Sequence, residues 1–435
     1  MVRNLMMIGL ALVTSGCATR SAMDISCPGF ENYRVKLGKS GLEQDIHNSA
    51  GDEDQSDIDT LRSDMRSAVN GGPLGTSENE AVLLLSGGGQ WGSYGAGFLG
   101  KLNEKRKLPD FRIITGVSTG GLQSLFLAVG SDEALDALRA AYAPGREKDI
   151  VNRNAKALTA ITGSMAGLKP LKKRIEQALC ADTDRACMLD RISHSGRHAY
   201  IGFVEARSGD FFFADATRLA AIPDRKVARE CVTGIALASA AMPVFFQQVR
   251  INGRTYYDGG VRQSVFEARI TRAAQTVATE RVNRHLRANS LNRATLPTSE
   301  YSRIAKQAAL PIYVVRNGPT IANPDATPDT KGDAITNALR AESIIVNQLE
   351  VSSIAALRLE NPLGPIYLTT ADGYNQPLAK PDGTSVGTCR KQNEAAMFEP
   401  SFMTCLAQFG RAKAERNVEW IALRELNVSD PGSDR

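Results

Sequence analysis

Two short apolar runs, each ended by small residues and each followed by a helix-forming stretch, constrain this chain most. AVLLLS, residues 81–86, is a continuous apolar run of the kind that a sheet buries on both faces. It stops at Gly87, Gly88 and Gly89, and a small-residue helix is predicted over 92–105. FRIITGV, residues 111–117, repeats the pattern and runs into STGGLQSLFLAVG, whose small residues open a second helix. Strand, turn and helix twice in succession dictate an α/β fold with a mostly parallel sheet flanked by helices. With 435 residues, 43% of them hydrophobic and 23% charged, the chain has the material for a large core. Its net charge of +5 is small for that length and gives no support to a nucleic-acid binder.

Further elements follow along the chain. ALRAAYAP and PLKKRIEQALCAD read as helices, and RHAYIGFVEARSGDFFFADA as two strands around a turn at 207–210. A helix is expected over 227–239, then a strand pair turning at Asn252-Gly253. Residues 268–307 read as helical and basic, carrying Arg269, Arg272, Arg281, Arg284 and Arg287. A solvated face is favoured there over a membrane-facing patch. LPIYVVRNG and GPIYLTT are strands, with a long helical stretch between them. Residues 81–435 form one elaborated domain, whose motifs all fall within 81–268.

The N-terminal part differs. Residues 1–16 place Arg3 before an apolar run and small residues, the layout of a secretory signal too short to span a bilayer. Cys17 directly after the small residues resembles the signal of bacterial lipoproteins. That resemblance implies cleavage before Cys17, acylation of Cys17 and a place in the cell envelope, with Ala18 pointing to the outer membrane facing the periplasm. Residues 17–80 are polar and acidic and are expected to form a largely disordered tether with one helix around 58–69. Six cysteines remain. Cys180 with Cys187 and Cys389 with Cys405 are close enough to close short loops, while Cys231, in CVTGIALASAAMP, reads as a buried small hydrophobe. No cysteine–histidine cluster suggests a metal.

The glycine turn by itself fits a phosphate cradle or an oxyanion hole, and Gly87, Gly89 and Gly92 satisfy G-x-G-x-x-G. Dinucleotide binding needs an acid at the end of the second strand, and Asp110 precedes that strand instead. A P-loop is disfavoured too, because Gly38-Lys39-Ser40 lies in the tether with Tyr33 where the first glycine belongs. The second strand ends in G-x-S-x-G: Gly116, Ser118 and Gly120 at a strand-to-helix turn that lifts a serine oxygen above the sheet. A serine nucleophile needs a base. The four histidines, His47, His194, His198 and His285, fall in the tether, a polar turn and a basic helix, and read as surface residues. A carboxylate is the alternative: YYDGG puts Asp258 at a strand end before Gly259 and Gly260.

A triple-glycine turn, then G-x-S-x-G, then D-G-G far downstream resembles the patatin-like phospholipase family. ALASAAMPVFFQQVRINGRTYYDGG is similar to that family's approach to its aspartate, with Ala238, Ser239, Pro243 and Phe246 in place. The resemblance implies a three-layer α/β/α fold and an acyl-ester hydrolase acting on lipid esters through an acyl-serine. Ser118 is then the nucleophile, Asp258 the general base, and the N–H groups of Gly87, Gly88 and Gly89 the oxyanion hole, with no cofactor or metal. The expected partners are a lipid or other ester and, through Cys17, a membrane. Two positions depart from the family: Trp91 stands where a basic residue is common, which favours a neutral lipid or other ester, and VRQSVFEA follows D-G-G where asparagine and proline are frequent. The alternative readings are an esterase on non-phospholipid substrates and a non-catalytic envelope lipoprotein that retains the fold.

Overall fold

The strand Glu80–Leu85 is fully buried and sits in the middle of an 11-stranded sheet. A computed structural model describes residues 22–38, 56–69, 74, 80–154, 164–180, 187–266, 268–322, 334–362, 364–393, 396–416 and 420–425. In chain order the sheet strands are β1 Met23–Ile25, β2 Arg34–Lys36, β3 Glu80–Leu85, β4 Asp110–Val117, β5 His198–Glu205, β6 Phe211–Asp215, β7 Val249–Ile251, β8 Arg254–Asp258, β9 Ile312–Arg316, β10 Ile366–Thr370 and β11 Ile421–Ala422. Their order is β1-β7-β8-β5-β4-β3-β9-β10-β11, with β6 beside β5 and β2 beside β6. The five strands β5-β4-β3-β9-β10 are mutually parallel, and antiparallel strands flank them.

Alternation along the strands makes three layers. Leu83, Leu85, Ile114, Ile201 and Phe203 face helices Gly92–Glu104, Thr119–Val129 and Arg225–Ser239. Val82, Leu84, Ile113, Val117 and Tyr200 face Ser56–Ala68, Ala268–Ala288 and Ala334–Glu360, through residues such as Leu61, Ile270 and Leu357. This is the α/β/α arrangement expected. The Asn252-Gly253 turn also forms: both residues have positive φ, 49° and 81°, the requirement of a tight hairpin joining β7 to β8.

Residues 22–38 and 56–69 are built into the fold, not the tether expected, and the helix expected over 58–69 forms as Ser56–Ala68. β1 pairs in parallel with β7, β2 pairs with β6, and Cys27 forms a disulfide with Cys231. Cys231 is therefore a cross-link between the N-terminal segment and a core helix, not a lone small hydrophobe. Helix Ser56–Ala68, from the acidic run, buries Asp57 against Arg269 and Asp64 against Tyr200 and Arg218. The basic stretch 268–307 is two helices, Ala268–Ala288 and Thr298–Ala308, on which Arg272, Arg284 and Arg287 are exposed, as on the solvated face expected, while Arg269 and Arg281 are buried. The pairs Cys180–Cys187 and Cys389–Cys405 form as expected. Residues 1–16, Cys17 and His47 lie outside the described residues. Among the described residues no helix is long and apolar enough to cross a membrane.

Candidate active site

β5 is the junction that assembles the site. Along one of its edges β4 runs parallel, with Val117 opposite Gly202. On that same edge β8 then takes over antiparallel, with Asp258 opposite Phe203, because β6 occupies the other edge at both positions. The C-terminal ends of β4 and β8 therefore point at each other across one register step. The residues that follow Val117 and precede Gly259 meet there, although 140 positions of sequence separate Ser118 from Asp258 (258 − 118).

Ser118 has φ 55° and ψ −123°, a backbone conformation that a non-glycine residue holds only when its surroundings impose it. It sits at the N-terminus of helix Thr119–Val129. Its N–H donates to Ser239 Oγ (2.8 Å), and Ser239 Oγ donates to the Gly202 carbonyl (2.6 Å). One hydroxyl thus satisfies both polar groups stranded where the strands end. The elbow glycines are dictated by close packing: a Cβ on Gly116 would lie 2.3 Å from the Gly120 carbonyl oxygen, and one on Gly120 2.4 Å from that of Leu85.

Asp258 is buried, with 1% of its surface exposed. Its Oδ1 accepts from the Gly260 N–H at 2.7 Å, and Oδ2 has no donor within hydrogen-bond geometry. Burial pushes its pKa from 3.8 up to about 7. Ser118 and the Gly260 N–H pull it down, and Glu350 adds to the rise. Ser118 stabilises the carboxylate from nearby although its hydroxyl forms no hydrogen bond to Oδ2, and catalytic contacts of this kind tighten when substrate binds. Glu342, on the same helix as Glu350, is likewise raised by its own burial and by Asp258, to about 8.

The glycine turn follows β3 and lies beside the end of β9. Gly88 has φ 136°, and a Cβ there would lie 2.0 Å from the Asn317 carbonyl oxygen, so only glycine fits. The Asn317 side chain donates to the Ser86 carbonyl at 2.9 Å, and its N–H to Ser86 Oγ at 2.9 Å. The three N–H groups are not equivalent. That of Gly87 donates to Ser264 Oγ at 3.0 Å and is not free for an oxyanion. Those of Gly88 and Gly89 have no acceptor among the described residues. Gly89 and Ser118 line the head of a cleft of about 460 Å³ whose walls are mostly apolar, including Leu122, Phe126, Leu171, Ile175, Phe246 and Phe398.

Trp91 is outside that cleft. Its ring packs edge-on against Tyr374 and Phe402, with centroids 4.8 and 5.1 Å away, in a cluster with the C-terminal helix Pro400–Glu415. No histidine joins the site among the described residues. His194 is exposed and bonds the Asp190 carbonyl, and His285 is half-buried on its helix. His198 is half-buried, contrary to the surface position expected, and its Nδ1 lies 2.6 Å from Asp215. It begins β5, at the strand end remote from Gly202 and Phe203. Burial opposes its protonation, but Asp215 outweighs that and raises its pKa.

An elbow serine on a parallel sheet, a glycine turn with two free N–H groups and a strand-end carboxylate define an α/β protein built like the serine acyl hydrolases. Residues 83–268 match the family model of patatin-like phospholipase, so this part of the chain is a patatin-like phospholipase domain. No curated protein sequence matches the chain. Among solved structures, the crystal structure of VipD from Legionella pneumophila is similar at 14% identity, covering 76% of this chain and 67% of that one, with a TM-score of 0.28.

Four participants escaped the sequence reading: Ser264, Arg316, Asn317 and Glu350. Ser264 lies in the loop after D-G-G that departs from the family. Arg316 and Asn317 end a strand identified only as a strand. Glu350 carried one signal: it stands four residues before Ile354 and seven before Leu357, on the buried stripe of its helix.

Proposed function

We propose that the protein hydrolyses lipid esters through Ser118 and Asp258. The observation that carries this reading is the apolar cleft that begins at Ser118 and Gly89, with the Asp258 carboxylate just behind the serine. An acyl chain laid along Leu122, Phe126 and Ile175 brings its carbonyl carbon to Ser118 Oγ. Asp258, half ionised near pH 7, takes the hydroxyl proton as the oxygen attacks. The carbonyl oxygen turns toward the Gly88 and Gly89 N–H groups, and the N-terminus of helix Thr119–Val129 adds positive potential. The proton passes from Asp258 to the leaving alcohol, and the same carboxylate then activates water to release the acyl-serine.

Trp91, packed away from the cleft, offers no cation to a phosphate, which favours esters recognised mainly by their acyl part. The esterase reading differs only in the alcohol released. An envelope location is part of the proposal: Cys17 carries the anchor, and the other six cysteines are all paired, as an oxidising compartment allows. The test is turnover on phospholipids, lysophospholipids, acylglycerols and short esters, with Ser118→Ala as control. Ester cleavage that Ser118→Ala abolishes supports the proposal. Cleavage that survives Ser118→Ala, or none by the folded wild type, removes it.

A further inference from the structure

The oxyanion turn is held from behind by a buried polar relay that hydrolysis itself does not use. The Gly87 N–H donates to Ser264 Oγ at 3.0 Å, and Ser264 Oγ donates to Glu350 Oε1 at 2.5 Å. Glu350 Oε2 pairs with Arg316 Nε at 3.1 Å, and Arg316 Nη2 donates to Asn347 Oδ1 at 2.7 Å. Ser264, Glu350 and Arg316 are 0%, 4% and 1% exposed. The relay draws on three elements: the loop after D-G-G, the end of β9 and helix Ala334–Glu360.

Its place is what matters. A Cβ built on Gly87 would lie 2.9 Å from Ser264 Oγ and 3.4 Å from Ser118 Cβ, so Gly87 is wedged between the nucleophile and the relay. Glu350 fixes the sense of the chain. As acceptor it takes the Ser264 proton, which leaves the Ser264 oxygen to receive the Gly87 N–H. With Gly87 pinned on that side, the next two N–H groups stay without an acceptor among the described residues, and Gly89 lines the cleft. Apolar side chains in place of a buried ion pair often cost nothing in stability, so holding a geometry is the better account of this one.

We propose that Ser264 and Glu350, backed by Arg316, are positioning residues that hold the glycine turn in register with Ser118. This rests on the hydrolase reading above and names what sets its oxyanion hole. Glu350 has a second effect. Among the described residues Glu350 is the charged group that acts on Asp258 and helps to raise its pKa, while Asp258 in turn raises that of Glu342.

The experiment measures kcat, KM and Tm with p-nitrophenyl butyrate for wild type, Ser118→Ala, Ser264→Ala, Ser264→Thr and Glu350→Gln. Ser264→Ala is expected to lower kcat about tenfold to a hundredfold with KM nearly unchanged, and Ser264→Thr, which keeps the hydroxyl, to recover most of it. Glu350→Gln is expected to lower kcat and to move the acid limb of kcat/KM to lower pH, because a like charge facing Asp258 is gone. A folded Ser264→Ala with wild-type kcat overturns the positioning role. So does a loss of kcat that only tracks a fall in Tm and that threonine does not rescue. Turnover absent from wild type, or retained in Ser118→Ala, overturns the hydrolase reading itself, and the positioning role falls with it.

Discussion

Asp258 carries two opposed demands. As the base of the proposed reaction it must be ionised, yet it is buried with one oxygen unpartnered, and its pKa is pushed up to about 7. Hydrolysis should therefore rise with pH through an inflection near 7, well above the ordinary carboxylate range. The same shift is a stability statement. A carboxylate whose folded pKa lies above its unfolded value favours the fold below the unfolded pKa, and loses that contribution as pH rises through the folded one. Asp258→Asn should abolish turnover, by roughly a thousandfold or more, while raising Tm at pH 8. The gain in Tm should shrink toward pH 4, and thermal melts across pH check it. A variant no more stable than wild type at pH 8 would mean that the carboxylate is not strained by burial. Gly88 gives a second expectation. Gly88→Ala forces a Cβ onto the Asn317 carbonyl and should remove activity, whereas Gly89→Ala has open space around its Cβ and should cost less, despite its φ of 55°.

At the scale of elements, the cross-link between Cys27 and Cys231 spans 204 residues and ties β1 to the helix that ends in Ser239. Replacing both cysteines by serine should destabilise the fold by about 2–5 kcal/mol, read by urea unfolding. No loss would mean that the N-terminal strands dock without it. These strands also mark where sequence reading stops. β3, β4, β9 and β10 are apolar runs bounded by turns, and their identity follows from composition. β1 and β2 have three residues each, too few for any periodicity, within a segment whose polar character suggests a linker. Ser118 and Asp258 were legible because the glycines beside them leave few other conformations. The occupied Gly87 N–H was not, because its acceptor lies 177 positions away and local spacing carries no trace of it.

Taken whole, the molecule puts its chemistry where strand ends collide and its substrate volume on one face of the sheet. The cleft sits among helices Thr119–Val129, Asp132–Ala141 and Lys169–Leu179, on the face opposite helix Ala334–Glu360. One face thus holds the cleft proposed for the acyl chain, while the other supplies Glu350 and Glu342. Narrowing the cleft with Ala141→Phe should shift preference toward shorter acyl chains and leave the smallest esters unaffected, as measured by kcat/KM across chain lengths. An unchanged profile would place the acyl chain elsewhere. The central claim is that Ser118 is an activated nucleophile, and covalent labelling by a fluorophosphonate probe tests it most directly. The account predicts labelling of the folded wild-type protein that disappears in Ser118→Ala and rises with pH through about 7, following Asp258. Labelling that persists in Ser118→Ala, or none in the folded wild type, would contradict it.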